Sequence, residues 1–367
     1  MATQTQARLD PAIFRLPVDR LRQGYYSDAY FVYTKQLLEA ENHRPRVTMQ
    51  VFQKKDSVLG GIDEAIAVLK LCSGREAEDG SWILGWNELE VHALREGDQI
   101  APHETVMTIE GDYSLFAHLE TVYLGTLARR SLIMRNVLQV VQAARGKQIF
   151  FFPARHDHWL VQTGDGWSAH VAGAIGVSTD AQASWWGGRG IGTVPHALIA
   201  AYGGNTVLAA TKFAEWVEEH DPGMSIVVLV DFENDSVRTA LEVAEALGPK
   251  LWGVRLDTSE DLVDRSLWTE MGGFKPTGVN PRLVEKVRGA LDEAGYPDVR
   301  IVASGGFTAE RIREFESKGV PVDAYGVGSS LIRGDNDFTA DVVITDGRPS
   351  AKVGRHYTPN PRLERVE

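Results

Sequence analysis

Several features of other protein classes are missing from this chain of 367 residues. It has a single cysteine, Cys72, which excludes a disulfide framework and a zinc site built from cysteines. No run approaches the roughly 20 apolar residues that cross a bilayer, and the first eight residues lack the apolar core of a signal peptide. We therefore expect a cytoplasmic protein with no membrane partner.

Basic residues are in the minority. The chain has 38 Lys and Arg against 50 Asp and Glu, a formal net charge of −12. Nucleic-acid-binding domains usually carry a basic balance or a basic stripe, and because this sequence has neither we expect no nucleic-acid partner. A phosphorylated small molecule is not excluded, since backbone N–H groups and a bound cation can hold phosphate without net positive charge.

What the chain does have is an alternation of strands and helices. Apolar runs at 226–230, 252–255, 300–303 and 324–328 each end in polar or glycine-rich residues, and a helical pattern separates each successive pair. Buried parallel strands are apolar throughout, and strands that alternate with helices indicate βαβ units. In such sheets and barrels, functional residues collect at the carboxyl ends of the strands.

The length favours two domains. A mixed strand and helix pattern, with an alternating strand at 47–52, predicts an α+β sandwich domain over residues 1–113. The stretch 114–144 predicts two consecutive helices that link the domains. We expect an irregular α/β barrel within 114–335, and a tail, 336–367, that returns to the N-terminal domain.

Two glycine-rich segments follow successive barrel strands. Glycine lets the backbone approach an anion, a helix N-terminus adds partial positive charge, and tandem loops on the last strands of a barrel are a recurrent phosphate site. Tight turns without a ligand are the alternative, but two such loops together favour phosphate. The residues are Ser304, Gly305 and Gly306, before a helix start at Thr308, and then Gly326, Gly328 and Ser329.

Charged residues end two neighbouring strands. Arg255 and Asp257 are two residues apart at a strand end and therefore point to the same side. Asp231 ends the preceding strand. Carboxylates in this position can bind Mg²⁺ or ribose hydroxyls. A structural salt bridge between Arg255 and an aspartate is the alternative.

The segment after the first barrel strand allows two interpretations. An aromatic ring at Phe152 can stack on a flat ligand while Arg155 pairs with the carboxylate of that ligand. Alternatively, His156 and His158 can begin the metal site of a barrel hydrolase, which needs further histidines at later strand ends. The histidines available to complete that site are His170 and His220.

His196 follows a glycine-rich segment, 185–192, that is unusually bare of side chains and leaves room for a phosphate. A neutral imidazole can accept a phosphoryl group, because one ring nitrogen keeps a free lone pair. With an unshifted pKa of about 6.5, most of the ring is neutral near pH 7. A purely structural histidine is the alternative.

These motifs stand in an order that resembles the type II phosphoribosyltransferases, and specifically nicotinate phosphoribosyltransferase. Each motif is weak by itself, but the ordered set is specific and spans nearly the whole chain. The matching segments are 27–30, 50–54, 58–61, 96–98, 110–112, 152–155, 176–178, 192–196, 255–257, 303–306 and 326–329.

The resemblance implies an irregular α/β barrel with an N-terminal α+β sandwich domain. It implies that nicotinate and phosphoribosyl pyrophosphate react, with Mg²⁺ and coupled ATP hydrolysis, to give nicotinate mononucleotide for NAD biosynthesis. His196, Arg255 and Asp257 would be catalytic, with His196 carrying a phosphoryl group. Phe152 and Tyr30 would sandwich nicotinate, with Tyr30 from a neighbouring subunit of a homodimer or higher oligomer. The remaining substrate-binding residues would be Asp28, Arg155, Ser178, Asp231, Ser304, Gly305, Gly306, Gly326, Gly328 and Ser329.

The chain departs from the family pattern at three places. Thr258 follows Asp257 where relatives have serine, Ser329 stands where they have threonine, and His156 follows Arg155 where the arginine is often doubled. Ser178 stands where nicotinamide phosphoribosyltransferase has an aspartate, which favours the acid over the amide. The alternatives are nicotinamide or quinolinate phosphoribosyltransferase, a metal-dependent barrel hydrolase, and a catalytically idle relative that binds nucleotides.

Overall fold

The structure, a computed structural model, describes residues 7–367. Residues 1–6, which carry most of the stretch interpreted above as lacking a signal peptide, lie outside the described residues. The strands, in chain order, are β1 (Arg46–Phe52), β2 (Ser57–Val58), β3 (Gly74–Glu76), β4 (Trp82–Leu84), β5 (Glu90–Ala93), β6 (Gln99–Ile100), β7 (Thr105–Asp112), β8 (Gln148–Phe151), β9 (Gly176–Val177), β10 (Ile226–Leu229), β11 (Leu251–Leu256), β12 (Arg300–Ala303), β13 (Ala324–Val327), β14 (Thr339–Thr345), β15 (Arg348–Pro349) and β16 (Glu364–Arg365).

The helices also follow in chain order. They are α1 (Val18–Arg22), α2 (Ala29–Ala40), α3 (Ile62–Cys72), α4 (Glu120–Ala143), α5 (Gln162–Val171), α6 (Asp180–Ala183), α7 (His196–Ala201), α8 (Thr206–His220), α9 (Ser236–Leu247), α10 (Pro281–Glu293) and α11 (Ala309–Ser317). Together with the strands they form two compact units, residues 7–135 with 334–367, and residues 136–333. No helix in the described part of the chain is both long and apolar enough to cross a membrane.

The first unit is built on an antiparallel sheet with the strand order β15-β14-β1-β7-β5-β16. Met49 and Val51 of β1 are buried in one hydrophobic core with Ile66 and Leu69 of α3. The sheet and this largely buried helix thus cover each other. This arrangement is the predicted α+β domain.

The tail of the chain is part of the same sheet. β14 runs antiparallel to β1, with Thr345 opposite Val47, and β16 pairs with β5. The pairing with β14 satisfies the backbone donors and acceptors of β1 on the side away from β7.

The division between the units differs from the predicted one. It falls at Arg135, inside α4, whereas the predicted boundary at residue 113 lies at the end of β7. The prediction of two helices over 114–144 was also wrong, since α4 is one helix of 24 residues, preceded by short 3₁₀ turns at Tyr113–Leu115 and Ala117–Leu119. No glycine or proline breaks α4 in its second half, so the helix continues where the pattern suggested a junction.

The second unit is built on a parallel sheet with the strand order β10-β11-β12-β13-β8-β9. Helices α9, α10 and α11 connect its successive strands, as the alternating pattern predicted. The segment 191–194 lies against both edges, because Ile191 N–H donates to Val177 O at 2.8 Å and Val194 N–H donates to Val227 O at 2.9 Å. The sheet is therefore curled into the predicted irregular barrel.

Two helix starts that the sequence predicted are capped by side chains. Asn280 Oδ1 accepts from Leu283 N–H at 3.1 Å, with Pro281 in the first helical position. Thr308 Oγ1 accepts from Arg311 N–H at 3.3 Å. Such caps fix where each helix begins, and so fix the loops that precede them. The residues at the carboxyl ends of the strands are Phe152 after β8, Asp231 after β10, Asp257 after β11, Ser304 after β12 and Gly328 after β13.

Candidate active site

A cavity of about 880 Å³ lies at the carboxyl ends of the barrel strands, and all of its walls come from the second unit. In parallel sheets and barrels, active and binding sites lie at this position. The cavity brings together most of the residues that the sequence singled out. They are Phe152, Arg155, Ser178, His196, Arg255, Asp257, Ser304, Gly305, Gly306, Gly326, Gly328 and Ser329.

Asp231 lies behind His196 and does not line the cavity. His196 Nε2 is 2.9 Å from Asp231 Oδ1, and the Asp231 side chain is only 6% exposed against 43% for His196. This hydrogen bond raises the pKa of His196 above its ordinary value, against the opposing effect of partial burial. The expectation of an unshifted pKa for this histidine was therefore wrong.

The same bond determines which nitrogen of His196 is available. A carboxylate can only accept, so the ring donates from Nε2, and the lone pair of the neutral form is on Nδ1. Nδ1 has no hydrogen-bond partner within residues 7–367. The arrangement suits a histidine that reacts through Nδ1.

Arg255, Asp257 and Ser304 form one hydrogen-bonded cluster. Arg255 Nε donates to Ser304 Oγ at 2.8 Å, Ser304 Oγ lies 2.7 Å from Asp257 Oδ1, and Arg255 Nη2 lies 3.3 Å from Asp257 Oδ2. The ion pair considered from the sequence is thus present. Ser304 is 1% exposed and directs its side chain to these two residues. Its hydroxyl holds the orientation of both charged groups at the cavity wall.

The ring of Phe152 is held from several sides. It stacks on Phe150, with ring centroids 5.7 Å apart and planes at 8°, and Arg255 Cζ lies 5.3 Å from its centroid. A Cβ atom at Gly326 would lie 2.9 Å from Cδ2 of this ring. Glycine at 326 is therefore required for the position of the aromatic wall, as well as for any approach of a ligand.

Both glycine loops present unpaired backbone donors to the cavity. Gly305 and Gly306 have φ values of 84° and 70°, which glycine adopts without strain. In the described chain, the N–H groups of 305–307 and of 328–330 have no protein acceptor. Ser330 Oγ donates to Phe307 O at 2.8 Å and so ties the two loops together. Two adjacent sets of free N–H groups are well suited to bind a phosphate.

The cavity also has a basic side that the sequence interpretation missed in part. Arg155, His156 and Arg333 all line it. Burial lowers the pKa of His156, and the charges of the two arginines lower it further. Arg333 Nη2 lies 3.5 Å from Ser329 Oγ in the second glycine loop. The sequence could have indicated this role for Arg333, because the residue follows Ser329 of the second glycine loop by only four positions.

Two acidic residues line the cavity as well. Asp257 was expected, whereas Glu260 was not singled out from the sequence. Glu260 lies three residues after Asp257, in the loop that follows β11. It is close to the first glycine loop, because a Cβ atom added to Gly306 would lie 4.0 Å from Glu260 Oε2. The cavity therefore combines cations and carboxylates, as a polyanion bound with Mg²⁺ requires.

The structure does not assemble the metal site of a barrel hydrolase. His158 Nδ1 accepts from Leu160 N–H, His170 stacks on Trp186 at 4.3 Å, and His220 stacks on Trp216 at 4.9 Å. Within the described residues, no group of three or more His, Cys, Asp or Glu side chains can hold a metal ion. The two additional histidines that this alternative needs are engaged elsewhere.

Ser178 is held by the buried amide of Gln182. Both its N–H, at 3.0 Å, and its Oγ, at 3.1 Å, contact Gln182 Oε1. Because Oε1 accepts from the backbone, the Ser178 hydroxyl donates to it, and only lone pairs remain for a ligand. A carboxylate next to Ser178 would require this hydroxyl to turn.

Asp28 and Tyr30 belong to the first unit, at the start of α2. Thr121 Oγ1 lies 2.8 Å from Asp28 Oδ2, and Asp28 N–H donates to Thr121 Oγ1 at 3.0 Å. The Tyr30 hydroxyl is 3.4 Å from Asp28 Oδ2, and the side chain is 60% exposed. The motif thus presents a fixed carboxylate and an exposed aromatic ring on the surface of its unit.

Comparisons with known proteins agree with this geometry. The family model of the quinolinate phosphoribosyl transferase N-terminal domain matches residues 28–131. The crystal structure of nicotinate-nucleotide pyrophosphorylase from Pyrococcus furiosus is 32% identical, with a TM-score of 0.77, over 100% of this chain and 86% of that chain. The chain belongs to the type II phosphoribosyltransferase family. The resemblance to this family, inferred from the ordered motifs, is thereby confirmed.

Other members of the type II phosphoribosyltransferase family are related over shorter stretches. Nicotinate phosphoribosyltransferase pncB1 of Mycobacterium tuberculosis is 30% identical over 271 residues, 72% of this chain and 55% of its own. Nicotinate phosphoribosyltransferase of Bacillus subtilis is 25% identical over 244 residues, 66% of this chain and 45% of its own. The chain thus spans about half the length of these curated relatives. Human nicotinic acid phosphoribosyltransferase, at 17% identity and a TM-score of 0.65 over 90% of this chain and 77% of that chain, shares the fold.

Proposed function

We propose that this protein is a nicotinate phosphoribosyltransferase that joins nicotinate to phosphoribosyl pyrophosphate. The observation that carries the proposal is a single cavity that contains two adjacent loops with free N–H groups, an aromatic wall and the cation of Arg155. Relatives from two bacteria bear the name of this activity. The alignment to them covers about half of their length, so the activity of this chain is inferred from its own cavity.

Phosphoribosyl pyrophosphate would be held by its two ends and its sugar. The 5-phosphate would accept from the N–H groups of 305–307 and 328–330, which lie one βα unit apart. The ribose hydroxyls would donate to Asp257, whose carboxylate is already oriented by Ser304 and Arg255. The pyrophosphate would then lie toward Arg333 on the basic side of the cavity.

Nicotinate would lie against Phe152, with its carboxylate paired to Arg155. The second aromatic face would be supplied by Tyr30 of a neighbouring chain, in a homodimer or higher homo-oligomer with shared active sites. The exposed ring of Tyr30 and the hydrogen bonds that fix Asp28 beside it support this assignment. A flat ligand held between two rings keeps its ring nitrogen aligned with the sugar carbon.

The residues present fit Mg²⁺. This ion is usually bound through one or two carboxylates together with the phosphates of a substrate. Asp257 and Glu260 at the cavity wall provide such a pair beside the proposed phosphate loops, and they would hold the ion. Mg²⁺ would neutralise charge on the pyrophosphate as it departs.

In the transfer itself, the bond between C1 of ribose and the pyrophosphate oxygen breaks and a bond from C1 to the nicotinate nitrogen forms. The sugar passes through a cationic state while the leaving group gains negative charge. Arg333 would stabilise the leaving group, and the carboxylate of Asp257 would stabilise the sugar. The orientation of both reactants in one cavity lowers the entropic part of the barrier.

ATP would act as a second substrate through His196. The bond between the terminal phosphorus of ATP and its bridging oxygen breaks, ADP departs, and Nδ1 of His196 forms the new bond to phosphorus. Asp231 retains the proton on Nε2 throughout and balances the positive charge of the phosphorylated ring. Water later cleaves the phosphorus–nitrogen bond and releases phosphate, which makes ATP hydrolysis part of the cycle.

A product assay tests the proposal. The protein is supplied with Mg²⁺, phosphoribosyl pyrophosphate and either nicotinate, nicotinamide or quinolinate, each with and without ATP, and the nucleotides are separated by chromatography. We expect nicotinate mononucleotide as the main product, with more formed when ATP is present. A main product from nicotinamide would contradict the proposal and would agree with the acceptor lone pairs of Ser178.

Quinolinate is the second candidate substrate, because the family model that matches residues 28–131 is named for it. Quinolinate has two carboxylates and needs two cations beside the aromatic wall. Arg155 provides one, whereas Arg255 is paired with Asp257 and Ser304. Carbon dioxide release together with nucleotide formation from quinolinate would favour this second candidate, with Arg333 as the further cation at the cavity wall.

A further inference from the structure

Arg311 is in an unusual place for a cation. It is the third residue of α11, in the first turn, where the helix macrodipole disfavours positive charge. Its side chain is half-buried and does not point away into solvent. Nη1 donates to Gly305 O at 2.9 Å and lies 3.5 Å from Gly306 O, while Nη2 donates to Val279 O at 2.5 Å. The guanidinium is therefore used to hold backbone carbonyls.

These contacts fix the direction of the N–H groups in the first glycine loop. The described chain has no cis peptide bonds, and in a trans peptide the C=O of one residue is antiparallel to the N–H of the next. Since Gly305 O and Gly306 O are held toward Arg311, the N–H groups of Gly306 and Phe307 point the opposite way. These are two of the donors that have no protein acceptor.

The guanidinium is itself held in place. Arg311 Cζ lies 4.5 Å from the centroid of the Phe307 ring, and Phe307 is 1% exposed. That ring packs edge-on against Phe315, with centroids 5.0 Å apart, and against Tyr325 at 5.3 Å. Val279, the third carbonyl that Arg311 holds, immediately precedes the cap of α10. The anchor therefore joins the loop to two helices and to the barrel core.

We propose that Arg311 is a positioning residue that aims the N–H groups of Gly306 and Phe307 at the phosphate of a phosphomonoester ligand. It acts from behind the loop, since its guanidinium is directed to carbonyls and does not line the cavity. The proposal rests on the proposed function in that it assigns the same phosphate subsite. It extends that function because it makes the strength of phosphate binding depend on a residue that does not touch the ligand.

The test measures binding of ribose 5-phosphate by titration calorimetry, without any reaction. Arg311→Met keeps most of the side-chain volume and removes the hydrogen bonds, and we expect the Kd for ribose 5-phosphate to rise about tenfold or more. Arg311→Lys keeps the charge with fewer donors, and we expect an intermediate Kd. The matched control is Arg313→Met on the same helix, where the side chain is exposed and pairs with Glu310 at 3.5 Å. It should bind as the wild type does.

Further measurements separate positioning from a general loss of structure. With substrates, Arg311→Met should raise the KM for phosphoribosyl pyrophosphate far more than the KM for nicotinate. Thermal unfolding of both Arg311 variants shows whether they are folded. If Arg311→Met is not folded, the Kd of Arg311→Lys for ribose 5-phosphate, compared with that of wild type, tests the proposal instead. A lower Tm together with a Kd for ribose 5-phosphate within twofold of wild type would overturn the proposal. A loss of nicotinate binding equal to the loss of ribose 5-phosphate binding would overturn it as well.

The same experiments distinguish a failure of the proposed function from a failure of the role proposed for Arg311. Wild type that binds ribose 5-phosphate but forms no nucleotide from any of the three bases would contradict the phosphoribosyltransferase activity and leave the Arg311 comparison intact. Wild type that does not bind ribose 5-phosphate at all would overturn the role of Arg311 directly.

Discussion

His196 Nε2 and Asp231 Oδ1 are 2.9 Å apart, and this contact has two opposite effects on the proposed phosphoryl acceptor. It keeps the proton on Nε2, which leaves the lone pair of the neutral ring on Nδ1. It also raises the pKa of His196, so a larger fraction of the ring is protonated and unreactive at neutral pH. Asp231 thus favours the reactive tautomer while it shifts reactivity to higher pH.

The first prediction concerns that pH dependence. Phosphoryl transfer to His196 needs the neutral ring, so the labelling rate should rise with pH through a midpoint above the ordinary histidine value of about 6.5. Asp231→Asn retains an acceptor for Nε2 but removes the charge, and the midpoint should move to lower pH. Quenched-flow labelling with γ-labelled ATP measures it. Asp235→Asn, near the surface beside Arg238, is the control and should not move the midpoint.

A second prediction identifies the labelled residue. His196→Ala should lose ATP hydrolysis and ATP stimulation, and it should keep a slow transfer that does not depend on ATP. Wild type incubated with γ-labelled ATP should carry a phosphate that is stable in alkali and lost in acid, whereas the variant should carry none. His220→Ala, which removes a ring stacked on Trp216, should be labelled like wild type. Undiminished label on His196→Ala would show that another residue accepts the phosphate.

The third prediction concerns the glycine loops. Gly305→Val introduces a β-branched side chain at φ 84° beside the free N–H groups, and Gly328→Val introduces a Cβ atom 3.0 Å from the His156 ring. Both should raise the KM for phosphoribosyl pyrophosphate by about tenfold or more, because they strain or block the phosphate loops.

The control for the loop variants is Gly319→Val. Gly319 has a similar positive φ of 66° but no atoms within 4 Å of its added Cβ, and it follows the end of α11. It should lose stability in thermal unfolding as Gly305→Val does, while the KM for phosphoribosyl pyrophosphate stays at the wild-type value. Normal binding in both loop variants would place the phosphate elsewhere in the cavity.

The fourth prediction tests the carboxylate contact. Arg155→Ala should weaken nicotinate by about tenfold or more, since a charge-assisted hydrogen bond is lost, and should weaken a neutral pyridine analogue much less. Competition binding with both ligands measures the difference. An equal loss for the two ligands would assign Arg155 to the pyrophosphate or to the loop after β8. Arg189→Ala, on the exposed glycine-rich segment, is a control for loss of a surface charge.

A fifth prediction tests whether active sites are shared between chains. Tyr30→Ala and Arg155→Ala should each be nearly inactive alone, and a mixture of the two should recover part of the activity once subunits exchange, because mixed oligomers contain one intact site. Subunit exchange is followed by native mass spectrometry of differently tagged chains. Exchange without any recovery would show that Tyr30 and Arg155 serve the same site from one chain.

Much of the fold was predictable because it depends on local patterns. The apolar runs at 226–230 and 300–303 became β10 and β12, and the caps at Asn280 and Thr308 begin helices where the sequence placed them. A fully buried parallel strand and a capped helix are each specified by a few neighbouring residues. Whether the stretch 114–144 forms one long helix or two was not predictable in this way. A continuous helix and two helices in line have the same apolar spacing.

The sequence by itself determined the residue types at the strand ends and the order of the motifs, and therefore the family. Only the tertiary structure decided how those residues are paired. From the sequence, Asp231 could have faced either a ligand or His196, and Ser304 could have faced either a phosphate or Arg255. The sequence contains no information about which neighbours lie across a curled sheet. Arg311 acquired a role in the same way, since it holds Gly305 and Val279, residues that only the packing of α11 brings within its reach. Pairing of this kind depends on distances of a few ångströms between separate strands, and only the packed structure sets them.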